Sequence, residues 1–168
     1  MELFKKQDEE ALLEELPASL KEEVLYKQYG QLVEGVKLLH ESDDNEFVWA
    51  LVMLAQIVHY GKDDTIYWYN DFAENFYMIF DGKVSLFAQN SYSFISYETG
   101  DLVGDSDALL HESRDSKAMA QGDKNTLYSL KVEALSAVLA QFPETYDKMK
   151  QAAQAKRQRH ARKIAQTL

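Results

Sequence analysis

The side chains able to do chemistry are unevenly supplied. The 168 residues include four histidines, 28 carboxylates and no cysteine. Without cysteine there are no disulfides, thiolate metal sites or cysteine nucleophiles, a pattern that suits a reducing compartment. His40, His59, His111 and His160 are scattered, with no H-E-x-x-H or other metal-ligand spacing. No Gly-x-Ser-x-Gly elbow and no glycine-rich phosphate loop is found. The acidic run Glu41–Glu46 lacks the alternating ligands and central glycine of a calcium loop, and reads as helix capping. These residues point away from an enzyme. No metal or cofactor is expected.

Charge is the stronger signal. All 28 acidic residues and 11 of the 18 basic ones lie in 1–147, a formal charge of −17. Residues 148–168 hold the other seven basic residues and no acidic one, giving +7. Such a body repels nucleic acid, and the basic run carries no aromatic residue between its cations for base stacking. A solvated helix facing its own acidic body explains it more simply than a lipid or nucleic-acid contact. Within 103–118, Asp105, Asp107, Glu112 and Asp115 stand against Arg114 and Lys117, a net of −2.

Three kinds of element must position these groups, in a chain long enough for one ordinary domain. Hydrophobic residues make up 46% and charged residues 27%, a globular composition. No apolar stretch approaches the roughly 18–20 residues of a membrane span, and no signal peptide opens the chain. Residues 8–55 are helical in pattern. Leu12, Leu13 and Leu16 share one face before Pro17, the helical period continues through Leu20, Val24, Tyr26, Leu32, Val33 and Val36, and Asp43 with Glu46 reads as a capping box. From Ile57 to Leu130 short aromatic and branched runs alternate with Gly, Asn and Asp: 66–69, 76–80, 84–87, 92–97 and 127–130. Asp81-Gly82 between two of them predicts a hairpin. Six or more such strands suggest a closed roll. Leu135, Val138 and Leu139 then mark one helix, and Pro143 opens another, with Tyr146, Met149, Ala153 and Ile164 as its sparse apolar positions.

The order of these pieces resembles the cyclic-nucleotide-binding domain family, in the version found in the cytoplasmic tails of hyperpolarisation-activated, cyclic-nucleotide-gated and ether-à-go-go-type cation channels. DEEALLEELPASLKEEV (8–24) looks like the end of the linker between a channel pore and its binding domain. NFYMIFDGKVSLF (75–87) is similar to the family's third and fourth strands. TGDLVGD (99–105) stands where the family has its glycine, aspartate and Phe-Gly-Glu signature. TLYSLKVEALSAVLAQFPE (126–144) matches the last strand, its following helix and the proline that opens the C-terminal helix. The resemblance covers nearly the whole chain.

It implies an α+β fold: an antiparallel β-roll (57–130) flanked by a helical linker end (1–40) and two C-terminal helices (131–168), with 41–168 as the binding-type domain. It also implies a pocket. Leu86, Ile95 and Tyr97 fall where the family lines its purine site, and Lys156 about where a lid residue caps the base. Val103, Gly104, Asp105, Ser106 and Asp107 fall on the phosphate cassette, where a phosphate needs a helix start and a bidentate cation. Asp105 replaces the ribose-binding glutamate with a shorter acid. Counted without gaps from Gly104, Arg114 takes the place of the phosphate arginine; matched on Ala108-Leu109-Leu110, Asp115 does. Asn70 stands where relatives have a turn glycine, which Asn tolerates.

The expectation is a regulatory domain of a tetrameric channel, on the cytoplasmic face of a membrane that this segment does not itself cross. Its partners would be the other subunits and the pore, with Phe4, Leu12, Leu13, Leu16 and Leu25 contacting a neighbour. Carboxylate repulsion would make cAMP or cGMP bind weakly or not at all. The alternative is a working cAMP or cGMP sensor.

Overall fold

The computed structural model describes residues 11–12 and 14–168. Helix α1 (Ala18–Gly35) begins directly after Pro17 and turns Leu25 and Leu32 inward. A single turn, α2 (Lys37–His40), leads to α3 (Asn45–Leu54), whose Phe47, Val48, Leu51 and Val52 are buried. The cap of α3 is Asp44, one residue later than the sequence pattern suggests. Its Oδ1 accepts from the Phe47 N–H at 3.3 Å, while the Ser42 hydroxyl accepts the N–H of Asp44 and fixes the entry. Glu46 keeps a favourable place in the first turn.

Eight strands follow: β1 (Gln56–Gly61), β2 (Thr65–Tyr67), β3 (Asn75–Asp81), β4 (Lys83–Phe87), β5 (Ser93–Glu98), β6 (Leu102–Val103), β7 (Lys117–Ala120) and β8 (Lys124–Lys131). Helix α4 (Asp105–Leu109) interrupts them, and α5 (Val132–Leu139) and α6 (Pro143–Gln166) close the chain. All pairings are antiparallel, in two four-stranded sheets ordered β1-β8-β3-β6 and β2-β7-β4-β5. The α+β roll with flanking helices is therefore as expected.

Asp81-Gly82 does not close a hairpin, because β3 and β4 belong to different sheets. It is a corner. Gly82 takes a φ of +131°, and a Cβ there would lie 2.5 Å from Asn125 Oδ1. That buried amide serves the corner in place of a ladder: Oδ1 accepts from the N–H groups of Lys83 and Gly122, and Nδ2 donates to the carbonyls of Tyr60 and Gly122. The run at 66–69 also ends early, since Trp68 and Tyr69 lie in the loop after β2.

Two apolar clusters hold the fold. One joins α1, α3 and α5 to one sheet through Leu32, Phe47, Leu51, Phe76, Leu130 and Leu135. The other fills the roll with Tyr67, Ile79, Val84, Leu86, Tyr97 and Val103. Leu25 is buried at 2% exposure, so it belongs to this chain's own packing and is not free for a neighbour. Leu12 and Leu16 are exposed, and Phe4 and Leu13 lie outside the described residues. Among the described residues no helix is long and apolar enough to cross a membrane.

Candidate functional site

The site is built where β6 runs into α4. Gly104 makes the turn with a φ of +76°, and a Cβ on it would come within 2.7 Å of Arg114 Nη1. Only glycine lets the backbone approach so closely. The next three residues, Asp105, Ser106 and Asp107, are all buried. Arg114 is buried too, and both terminal nitrogens of its guanidinium donate. Nη1 donates to the Gly104 carbonyl at 2.7 Å, Nη2 donates to the Asn75 carbonyl, and Cζ lies 4.0 Å from the centroid of the Tyr67 ring. Asp107 lies 3.8 Å from the same guanidinium.

The two candidates for the arginine position are placed differently. Arg114 packs onto Gly104, whereas Asp115 turns away toward the C-terminal helix. The backbone of Arg114 is pinned on both sides by the loop before β3. Its N–H donates to the Asp71 carbonyl at 2.8 Å, and its carbonyl accepts from the Asn70 N–H at 2.9 Å. Asn70 adopts the left-handed conformation, φ +68°, expected of a glycine replacement.

Helix α6 completes the site with three acid–base contacts along one face. Lys156 Nζ reaches Asp105 Oδ1 at 2.5 Å, donates to the Leu102 carbonyl at 2.8 Å, and lies 4.2 Å over the Tyr97 ring. Arg157 pairs with Asp107. His160 Nδ1 is 3.0 Å from Asp115 Oδ2, and its Nε2 is 2.6 Å from the Tyr97 hydroxyl. Positions 156, 157 and 160 of a helix lie about one turn apart on neighbouring faces, so one short stretch of α6 meets three cassette carboxylates.

The electrostatics follow from burial. Asp107 is pushed up to about 7, first by burial and then by the charge of Asp115, against the pull of Arg157 and Arg114. Burial would also raise Asp115, but the hydrogen bond and charge of His160, with help from Ser116 and Arg157, hold it below the usual carboxylate range. An ionised Asp115 can only accept, so His160 Nδ1 carries the proton between them. The phenols of Tyr97 and Tyr67 are raised, chiefly by burial.

Several expectations change. The net of −2 over 103–118 does not stand bare, because Lys156 and Arg157 bring positive charge, and His160 a hydrogen bond, from 45–51 residues further on. Simple repulsion is therefore corrected to internal pairing. Glu112 is exposed beyond α4, and Lys117 lies 4.2 Å over the exposed Trp68 ring. Lys156 is buried at 7% exposure, so it is no solvated helix lysine, and it faces the cassette. Leu86, Tyr97 and Val103 are members of the inter-sheet core, with Ile95 packed against it opposite Leu86. Arg157, His160, Asn75 and Tyr67 join the cassette without being among the expected site residues. The i, i+1, i+4 spacing of Lys156, Arg157 and His160 was the one signal for part of that set.

Among the described residues no group of three or more histidine and carboxylate side chains could hold a metal ion. A separate groove of about 480 Å³ lies between α1 and α3, with Tyr26 and Trp49 on its walls.

Against known proteins, the sequence pattern described as the cyclic nucleotide-binding domain matches residues 57–142. Among solved structures, the chain is similar to the regulatory subunit of a cAMP-independent protein kinase A from Trypanosoma brucei. The TM-score is 0.66 at 20% identity, over 76% of this chain and 45% of that one. The likeness is one of fold, and this chain spans less than half the length of that subunit. No curated protein matches the chain.

Proposed function

Because this chain belongs to the cyclic nucleotide-binding domain family, we propose that it is a regulatory domain whose pocket binds cyclic nucleotide weakly or not at all, its own C-terminal helix being docked on the phosphate cassette. The observation that carries this reading is the buried contact of Lys156 with Asp105, with Arg157 on Asp107 and His160 on Asp115 beside it. A cyclic phosphate would need Arg114 and the backbone beside Gly104. Here that guanidinium is already divided between two carbonyls and an aromatic face. Taking it over requires breaking good hydrogen bonds in a dry site, where an unpaired charge is costly.

The host we infer is a tetrameric cation channel, with the domain on the cytoplasmic face of the membrane and the pore and other subunits as partners. Support comes from the linker-like stretch 8–24 and from Leu12, Leu16, Leu20 and Val24, which remain exposed along the leader. That the regulatory subunit of a cAMP-independent kinase keeps this fold is compatible with regulation without nucleotide.

One observation favours a second reading, a working cAMP or cGMP sensor: Arg114 is retained and buried beside Gly104. Titration calorimetry of the chain with cAMP and with cGMP separates the two. The proposal expects no saturable heat below about millimolar ligand, and micromolar or tighter binding, about −8 kcal/mol, would establish the sensor.

A further inference from the structure

The loop between β2 and β3 exposes three aromatic rings at once: Trp68 at 58%, Tyr69 at 43% and Phe72 at 70%. Their burial does not stabilise the roll, and single exposed apolar residues are ordinary, but three on one short loop form a patch. The loop is also rigidly built. Asp71 Oδ2 accepts from the Trp68 N–H at 3.2 Å, the Asp71 N–H donates to the Trp68 carbonyl, and Asn70 holds the left-handed turn. Phe72 bridges to Ser113, and Ala73 is buried as the anchor. Rigid aromatic side chains lose little entropy on binding, and they dominate the hot spots of interfaces.

The chemistry of the patch selects its partner. Lys117 Nζ already lies 4.2 Å over the Trp68 ring, so one face of that indole accepts a cation in the free protein. On the loop and the segments bonded to it, Asp71, Glu74, Glu112 and Glu133 are all exposed, with Lys117 and Lys131 the opposing cations. Glu112 adjoins Ser113, the partner of Phe72, and Glu133 follows Val132, whose N–H donates to the Glu74 carbonyl. An acidic rim on a body of formal charge −17 turns away phosphate surfaces and attracts cationic ones.

We propose that Trp68, Tyr69 and Phe72 form a docking surface for a basic peptide segment of a partner protein, whose arginines or lysines stack on the rings and pair with the acidic rim. Arginine suits it best, since a guanidinium plane lies flat on an aromatic face while its edge reaches a carboxylate. The patch stands on its own observations, whatever occupies the cassette.

The Trp49→Phe variant leaves Trp68 as the sole tryptophan, so its emission reports the patch directly. The probe is a short synthetic peptide alternating arginine with alanine and leucine, beside an acidic peptide of equal length and phosphatidylserine vesicles. A saturable change with the basic peptide alone is expected, with a Kd on the order of 10–100 μM that weakens with salt. Phe72→Ala should weaken it roughly fivefold, and Glu74→Lys with Glu112→Lys by at least as much, with the melting temperature unchanged. No saturation at millimolar peptide, or binding indifferent to both variants, overturns the proposal. So does binding of the acidic peptide or the vesicles instead, or self-association of the chain that these variants abolish, which would make a second copy the occupant.

Discussion

Helices α5 and α6 follow one another after β8, yet different chemistry fastens them. Helix α5 is held by apolar burial: Leu135 and Leu139 sink into the cluster beside α3, and Phe142 meets the Phe47 ring edge-on at 5.5 Å. Helix α6 begins in the same manner with Met149 and Ala153, then changes to Lys156, Arg157 and His160 against three carboxylates. An apolar contact depends little on pH or salt. A buried charged one is conditional on the protonation and pairing of every member. The half of α6 that meets residues 105–115 is accordingly the part whose packing depends on charge, and α5 is held without it.

The largest expected effect breaks the scaffold side. Phe47 is fully buried at the centre of the helical cluster, so Phe47→Ala should cost about 3–5 kcal/mol in urea unfolding. The loss should be equal at low and high salt and at pH 5 and pH 8. A marked pH dependence would show that the two helix contacts are not separate.

A smaller effect sharpens the conditional side. Asp107 is held near 7, above its unfolded value, so the native state binds more protons between about pH 4 and pH 7. Its contribution to stability is therefore complete below about pH 4 and is lost as pH rises through 7. Asp115 works in the opposite sense. Held below its unfolded value, it stabilises above the ordinary carboxylate range and loses that contribution as pH falls below it. The melting temperature should decline by several degrees from pH 5 to pH 8. Asp107→Asn should flatten that decline and leave the acid limb in place. An unchanged slope in Asp107→Asn would assign the effect to another group.

The same contrast explains what the sequence made legible. Apolar period and strand texture are local, so α3, α5, the start of α6 at Pro143 and most strands could be read in order. Strand β1 is not among the runs given above, and β6 and β7 could not be. Leu102–Val103 is two residues long, and Lys117–Ala120 carries no β-branched or aromatic side chain; both exist because of their neighbours in the sheets. Asp81-Gly82 was legible as a turn, but the corner it makes depends on Asn125, more than 40 residues away. For the cassette, Gly104 and the carboxylates were visible while their partners were not. The acids at 105–115 and the cations at 156–160 look like separate charge runs until the fold brings them together.

That charge pairing holds α6 on the cassette is tested most directly by a double-mutant cycle at the Asp105–Lys156 pair. Asp105→Asn and Lys156→Met each strand one buried charge, and each should cost about 3 kcal/mol in urea unfolding. The double variant leaves neither charge and should be more stable than either single one, with a coupling energy of about 2 kcal/mol or more. Additivity within about 0.5 kcal/mol would mean that the two side chains act independently, and that α6 is held by its apolar half alone.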